Sequence, residues 1–209
     1  MTKELFTCCL MLASALFTGP AIASEDAAPD ALVRHVSEEV LAIVRSDKAI
    51  QSGDTRRVLA LVDEKVLPHF DFRRMTMLAV GKDWRSATPE QQSRLTSAFR
   101  TLLVRTYSNA LTQYRNQTID FKPLRASLDD KQVRVKTEVS QPGAQPISID
   151  YSLEKANGSW KVFDVIVAGV SLVTNYRGSF GDEIRARGID GLIASIEAKN
   201  KSLETAQGG

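Results

Sequence analysis

Two cysteines and two histidines are the whole supply of thiols and imidazoles in this 209-residue chain, and that scarcity excludes several kinds of chemistry at once. Cys8 and Cys9 stand side by side inside the apolar run Leu5 to Phe17, which ends in Gly19, Pro20 and Ala21-Ile22-Ala23. Such a run reads as a secretory signal peptide over residues 1–23, cut after Ala23. The expected mature chain, residues 24–209, then has no disulfide, no thiolate ligand and no cysteine nucleophile, and its expected place is the oxidising periplasm. His35 and His69 show no H-E-x-x-H or similar spacing, so each reads as a structural histidine. Asp129-Asp130 and Asp182-Glu183 are simple pairs without the pattern of a calcium loop. No metal and no cofactor are expected.

Charge of either sign is not in excess: 27 Lys and Arg face 25 Asp and Glu, a net of +2. That balance argues against a nucleic-acid partner and supplies little pull toward an anionic membrane. Beyond the leader no apolar run is long enough to span a bilayer. The G-V-S-L around Ser171 lacks the second glycine of a nucleophile elbow, and Ser171 reads better as the cap of a following helix. Gly178 and Gly181 have no lysine after them to make a phosphate loop.

What the chain does contain is period. Leu32, Val33, Val36, Val40, Ile43 and Val44 make one helical stripe between Pro29 and Ile50. A second helix is expected from its N-cap Asp54 until Pro68 stops it, and short helical pieces over Phe72 to Val80. Thr88-Pro89-Glu90-Gln91 has the residues of a capping box. It opens a long helix whose stripe runs through Leu95, Phe99, Leu102 and Leu103 to Tyr114. After Asn116 the period drops to two. Ile119 to Phe121, Val133 to Val139, Ile147 to Glu154 and a fourth run from Trp160 read as strands, with Asn157-Gly158 turning the last hairpin. The fourth strand is apolar on both sides, with Trp160, Val162, Asp164 and Ile166 on one face and Phe163, Val165 and Val167 on the other. From Leu172 the pattern is helical again, and the tail from Lys199 is expected to fray. The fold class is α+β: one domain with a four-stranded antiparallel sheet covered by several helices, the long helix as its roof.

Asp164 interrupts this apolar strand, which leaves two readings open. It is a general base of a small-molecule enzyme, with Tyr151 or Tyr107 as oxyanion donor. Otherwise it caps a turn or pairs with an arginine such as Arg177. A third class is a periplasmic chaperone or adaptor with a peptide groove.

The run WKVFDVIVAGVSLVTNYRGSF, Trp160 to Phe180, with GIDGLI at Gly188 to Ile193, closely resembles the C-terminal signature of the MlaC family, also called the toluene-tolerance Ttg2D proteins. Leu67 to Tyr107 is similar to the same family's middle region. The resemblance implies a non-enzymatic periplasmic carrier that moves glycerophospholipids between the outer and inner membranes and so maintains outer-membrane lipid asymmetry. It implies a twisted four-stranded sheet, a deep apolar pocket between sheet and helices for the acyl chains, and phospholipid as cargo. It also implies two partners, an inner-membrane ABC transporter complex with an MCE-domain subunit and an outer-membrane lipoprotein-porin complex, met by a monomer. Apolar phase selects Leu78, Leu102, Leu103, Tyr107, Val135, Ile149, Tyr151, Val165, Val167 and Leu172 as the expected lipid-binding wall, some of them plain core.

Overall fold

The computed structural model describes residues 28–114, 116–127 and 130–208; the expected leader with Cys8 and Cys9, its cleavage point, Arg115 and Asp129 lie outside the described residues. Helix α1, Pro29–Ser46, begins on a proline and buries Val33, Val40 and Val44. Asp47 then turns extended and its carboxylate accepts from the amides of Ala49 at 2.9 Å and Ile50 at 3.2 Å, which starts the short α2, Lys48–Gln51. Asp54 caps α3, Thr55–Leu61, as expected, accepting from the Arg57 amide at 3.1 Å. Pro68 does not stop this helical path. A π turn, Val62–Val66, leads into a 3-10 turn, Leu67–His69, where a proline in the first positions forfeits no internal hydrogen bond, and the chain turns extended only at Phe70. Asp71 caps α4, Phe72–Val80, and a 3-10 turn follows over Gly81–Arg85.

The capping box is formed: the Gln91 amide donates to Thr88 Oγ1 at 3.2 Å and the Thr88 amide to Gln91 Oε1 at 3.0 Å. It opens α5, Pro89–Tyr107, which tightens into a 3-10 turn over Ser108–Gln113 instead of running on as α-helix.

Strands β1 (Thr118–Phe121), β2 (Gln132–Ser140), β3 (Ile147–Ala156), β4 (Ser159–Val167) and β5 (Val170–Ser171) pair in sequence order, each antiparallel to the next. The fifth strand corrects the expected four. It is a two-residue return from β4, and the turn that makes it, Ala168-Gly169, has φ values of 49° and 82°, the conformation of a two-residue hairpin loop without the usual Asn or Asp.

A bulge corrects the reading of β4. Leu153 pairs with Val162, Ser152 with Asp164 and Tyr151 with Val165, so Phe163 is an extra residue. Paired residues share a face. Val162 and Val165 therefore point the same way, while Asp164 and Ile166 point the other, and the alternation inferred from sequence reverses across Phe163.

Both faces are covered, though not by the expected roof. Leu32 and Val33 of α1 pack on Val133, Val135, Leu153 and Val162, so α1 covers one face, here called the α1 face. The other face meets α4 and the head of α6. Helix α5 packs instead between α4 and α6. An amphipathic stripe shows that a helix is packed, not against what.

Helix α6, Leu172–Gly208, breaks at Gly188, whose φ of 70° and ψ of −177° is a glycine conformation. A side chain at Gly191 would meet Arg187 Cβ at 2.3 Å, so GIDGLI is the sequence of a sharp bend. The tail is helical to Gly208 where fraying was expected, held by Asn200, which is buried and donates to the Ala98 carbonyl at 2.9 Å. Among the described residues no helix is long and apolar enough to cross a membrane.

Candidate functional site

Among the described residues the buried side chains form three clusters rather than one continuous core. The largest joins α4, α5 and α6 around Leu95, Phe99, Phe180 and Ile193. A second joins α1, α2 and α3 around Val44, Ile50 and Val58. The third is the α1 face of the sheet. Half-buried Phe70 packs against both the first and the third. A domain of this size ordinarily builds one contiguous core.

The ten expected wall residues fall on both sides of the sheet. Leu102 and Leu103 are buried in the α5 cluster and half-buried Leu78 packs against it. Val135 is buried on the α1 face, with half-buried Tyr151 and Val165 beside it. These six divide between two clusters, and Leu102, Leu103 and Val135 are buried. Ile149 and Val167 pair with each other across β3 and β4, and both, like Leu172, are half-buried yet belong to none of the three clusters. They sit at one end of the sheet with Ile147, 49 % exposed, and Val170, 56 % exposed. Tyr107 stands at the end of α5, 40 % exposed, its hydroxyl interacting with that of Tyr176 in α6.

Two phenols are held neutral. Tyr151 has its pKa pushed up to about 12 by burial, with a hydrogen bond to Ser37 of α1 opposing the shift. Burial likewise pushes Tyr176 up to about 12, and Tyr107 adds to it. A phenol with so high a pKa is a hydrogen-bonding group and a wall, with no tendency to ionise near neutrality.

Asp164 has the structural role. Its carboxylate accepts from Ser171 Oγ at 2.6 Å and from the Val173 amide at 3.2 Å, and Ser171 in turn accepts from the Thr174 amide at 3.0 Å. Together they cap the head of α6, as Ser171 was expected to do. Of the two structural alternatives it is the cap that forms and not the pairing with Arg177, which donates from two nitrogens to the Leu78 carbonyl, at 2.9 and 2.7 Å, near the end of α4. Asp164 and Tyr151 also point to opposite faces of the sheet, so they do not converge on one substrate.

One surface depression, about 500 Å³, lies between α5 and the end of α6 and is lined by Arg94, Arg105, Glu197 and Asn200 among others. Another, about 260 Å³, lies between α1 and β1, lined by Ser37, Leu41, Ile119 and Phe121 among others. Neither is lined by any of the ten expected residues. The second lies where α1 meets the sheet, beside Ser37 and hence the Tyr151 hydroxyl. Among the described residues no group of three or more His, Asp or Glu is gathered so as to hold a metal ion.

The family model described as MlaC protein matches residues 34–198. The chain is 25 % identical over 199 residues to an intermembrane phospholipid transport system binding protein of Haemophilus influenzae, covering 93 % of this chain and 92 % of that one. It is 37 % identical over 106 residues to a toluene tolerance protein of Pseudomonas putida, covering about half of each, 51 % and 49 %. A solved phospholipid-binding protein from Ralstonia solanacearum, in complex with a phospholipid, superposes with a TM-score of 0.79 at 39 % identity, covering 86 % of this chain and 99 % of that one.

Proposed function

This chain belongs to the MlaC protein family, and on that premise we propose that it is a non-enzymatic periplasmic carrier that holds a glycerophospholipid by its acyl chains and ferries it between the outer and inner membranes. The observation that carries this reading is the likeness to a protein solved with a phospholipid bound, over nearly the whole of that protein's length. The carrier domain is residues 24–209, exported by a leader over residues 1–23, and it exchanges lipid with the MCE-domain transporter and the lipoprotein-porin complex.

The task sets the physics. Moving a two-chain lipid through water exposes on the order of 30 methylenes at about 0.8 kcal/mol each, roughly 24 kcal/mol in all. A carrier must replace that burial with apolar wall and needs no reacting group. The tails belong at the end of the sheet where Ile149 and Val167 pair on the α1 face, next to Tyr151 and Val165, with Leu172 following close in the chain. Those side chains supply apolar surface that no protein cluster covers fully. With the headgroup left in water at the mouth, headgroup selection is weak.

Native mass spectrometry of the purified protein tests the reading: a co-purified adduct with the mass of a two-chain phospholipid is expected. Val167→Glu places a charge against the tails, so the adduct should vanish while the circular dichroism spectrum is kept. An empty wild-type protein sinks the carrier reading; an adduct retained in Val167→Glu sinks this placement of the tails.

A further inference from the structure

Val165 and Val167 face the proposed tail site only because β4 carries an extra residue. Val162 and Val165 are an odd number of steps apart, and in a regular strand an odd step changes the face. Yet Val162 pairs with Leu153 and Val165 with Tyr151, so both point to the α1 face and Phe163 is left over. A ladder that absorbed Phe163 would set it opposite Ser152, with Asp164 opposite Tyr151 and Ile166 opposite Ile149. The valines would then turn to the α4 side of the sheet, and the Asp164 carboxylate would enter the apolar α1 face. The bulge therefore decides what the tails meet.

The first turn of α4 is fastened to that bulge. Just before it, the Asp71 amide donates to the Val162 carbonyl at 2.9 Å, and Phe70 forms a parallel bridge with Val162. On the bulge itself, Arg74 Cζ lies 4.6 Å from the centre of the Phe163 ring, and Arg74 Nη1 is 2.9 Å from Glu154 Oε2 on β3. The Asp71 carboxylate accepts from the Arg74 amide at 2.8 Å, which joins the two contacts in one turn of helix. With 25 % and 16 % of their side chains exposed, Arg74 and Glu154 are not a freely solvated surface pair. Stability alone does not select this arrangement. Arg74 Nε is withdrawn from water and has no hydrogen-bond partner among the described residues, a cost that an apolar side chain of like volume avoids. What the guanidinium supplies and a methionine does not is direction: a planar group held at one end by Glu154 and laid on the ring it fixes.

We propose that Arg74 is a positioning residue for the cargo: it pins Phe163 out of the ladder, and so keeps Val165 and Val167 turned to the tails from the opposite side of the sheet. The inference rests on the carrier reading. Phe163 packs against the cluster of α4, α5 and α6, so the brace ties the shape of the tail wall to helices that do not touch the tails. Because the slipped register would bury Asp164, a strand that loses the brace loosens around the bulge and does not settle into another pairing.

The probe is phosphatidylglycerol with a fluorescent acyl chain, titrated into the lipid-stripped, full mature protein. Arg74→Ala should weaken its binding by about threefold to thirtyfold, and hydrogen exchange should quicken at residues 162–167 while α5 keeps its protection. Deleting Phe163 removes the need for a brace, since Val162 and Asp164 then follow one another with Val165 and Val167 already facing the tails. In that shortened chain Arg74→Ala should leave binding unchanged, a coupling that a merely structural arginine does not produce. Should the shortened chain fail to fold, the exchange pattern decides: quickening confined to residues 162–167 supports the brace, and quickening spread through α4 and α5, or none, overturns it. Arg74→Ala binding as tightly as wild type, or losing as much in the shortened chain as in the full one, also overturns the brace and leaves the carrier reading standing. Wild-type protein that binds no probe defeats the carrier reading itself.

Discussion

At the scale of single residues, Asp164 and His69 behave in ways that mutation can check. Asp164 accepts from Ser171 Oγ and from the Val173 amide, so Asp164→Ala removes the cap of α6 and should cost about 1–2 kcal/mol. At roughly 2–4 °C per kcal/mol for a chain of this size, calorimetry should show the melting temperature fall by several degrees. Phospholipid should still be retained, because the carboxylate faces away from Tyr151. Loss of lipid without loss of stability would instead place Asp164 at the cargo. His69 is a pH-dependent weakness. Burial, first, and then Lys161 and His35 pull its pKa below the ordinary 6.5, with Glu39 pulling the other way. The unfolded chain therefore takes a proton before the folded one does, so stability falls as pH drops through about 6.5 and below. His69→Gln should shrink the difference between urea midpoints measured at about pH 7.5 and about pH 5.5; an undiminished difference would assign the acid sensitivity elsewhere.

Among the elements, the two hairpin turns make a natural comparison. Asn157-Gly158 and Ala168-Gly169 adopt the same pair of positive φ values, 50° and 83° against 49° and 82°, yet only the first has residues that favour them. Ala168 is thus held in a left-handed conformation that costs an alanine about 1–2 kcal/mol. Ala168→Asn should recover part of that and raise the urea midpoint; a lower midpoint would show that the Ala168 methyl is needed where it stands. The same contrast explains what could be foreseen. Asn157-Gly158, the Thr88 capping box and the Asp54 cap are local chemistry, and each appears where the sequence places it. The return to β5 was hidden because Ala168 is no turn residue. The bulge at Phe163 was hidden because an extra residue leaves no mark in a run that is apolar on both sides. The roof was misplaced because the stripe on α5 meets α4 and α6 rather than the sheet. The lipid wall was read from side-chain size and phase alone, which do not separate it from core: Leu102, Leu103 and Val135 are buried within the clusters, and core and wall use the same side chains.

For the whole molecule, the division of the interior into three clusters has an energetic meaning. Apolar surface at Ile149, Val167 and Leu172 is half-withdrawn from water and joins none of the three clusters, so it contributes less to stability than an equal area in a closed core. A hydrocarbon tail laid along it supplies the missing contacts, and binding becomes folding stability through mass action: free lipid at about a hundred times its dissociation constant adds about 2.7 kcal/mol. Stripping the lipid by denaturation and refolding in its absence should therefore lower the melting temperature by roughly 5–10 °C, and adding back phosphatidylglycerol should restore it. Val167→Glu should show the lower value throughout and no response to added lipid, because it loses the cargo and not the fold. If the stripped and loaded proteins melt together, the three clusters already amount to a complete core, and the tail does not lie among them.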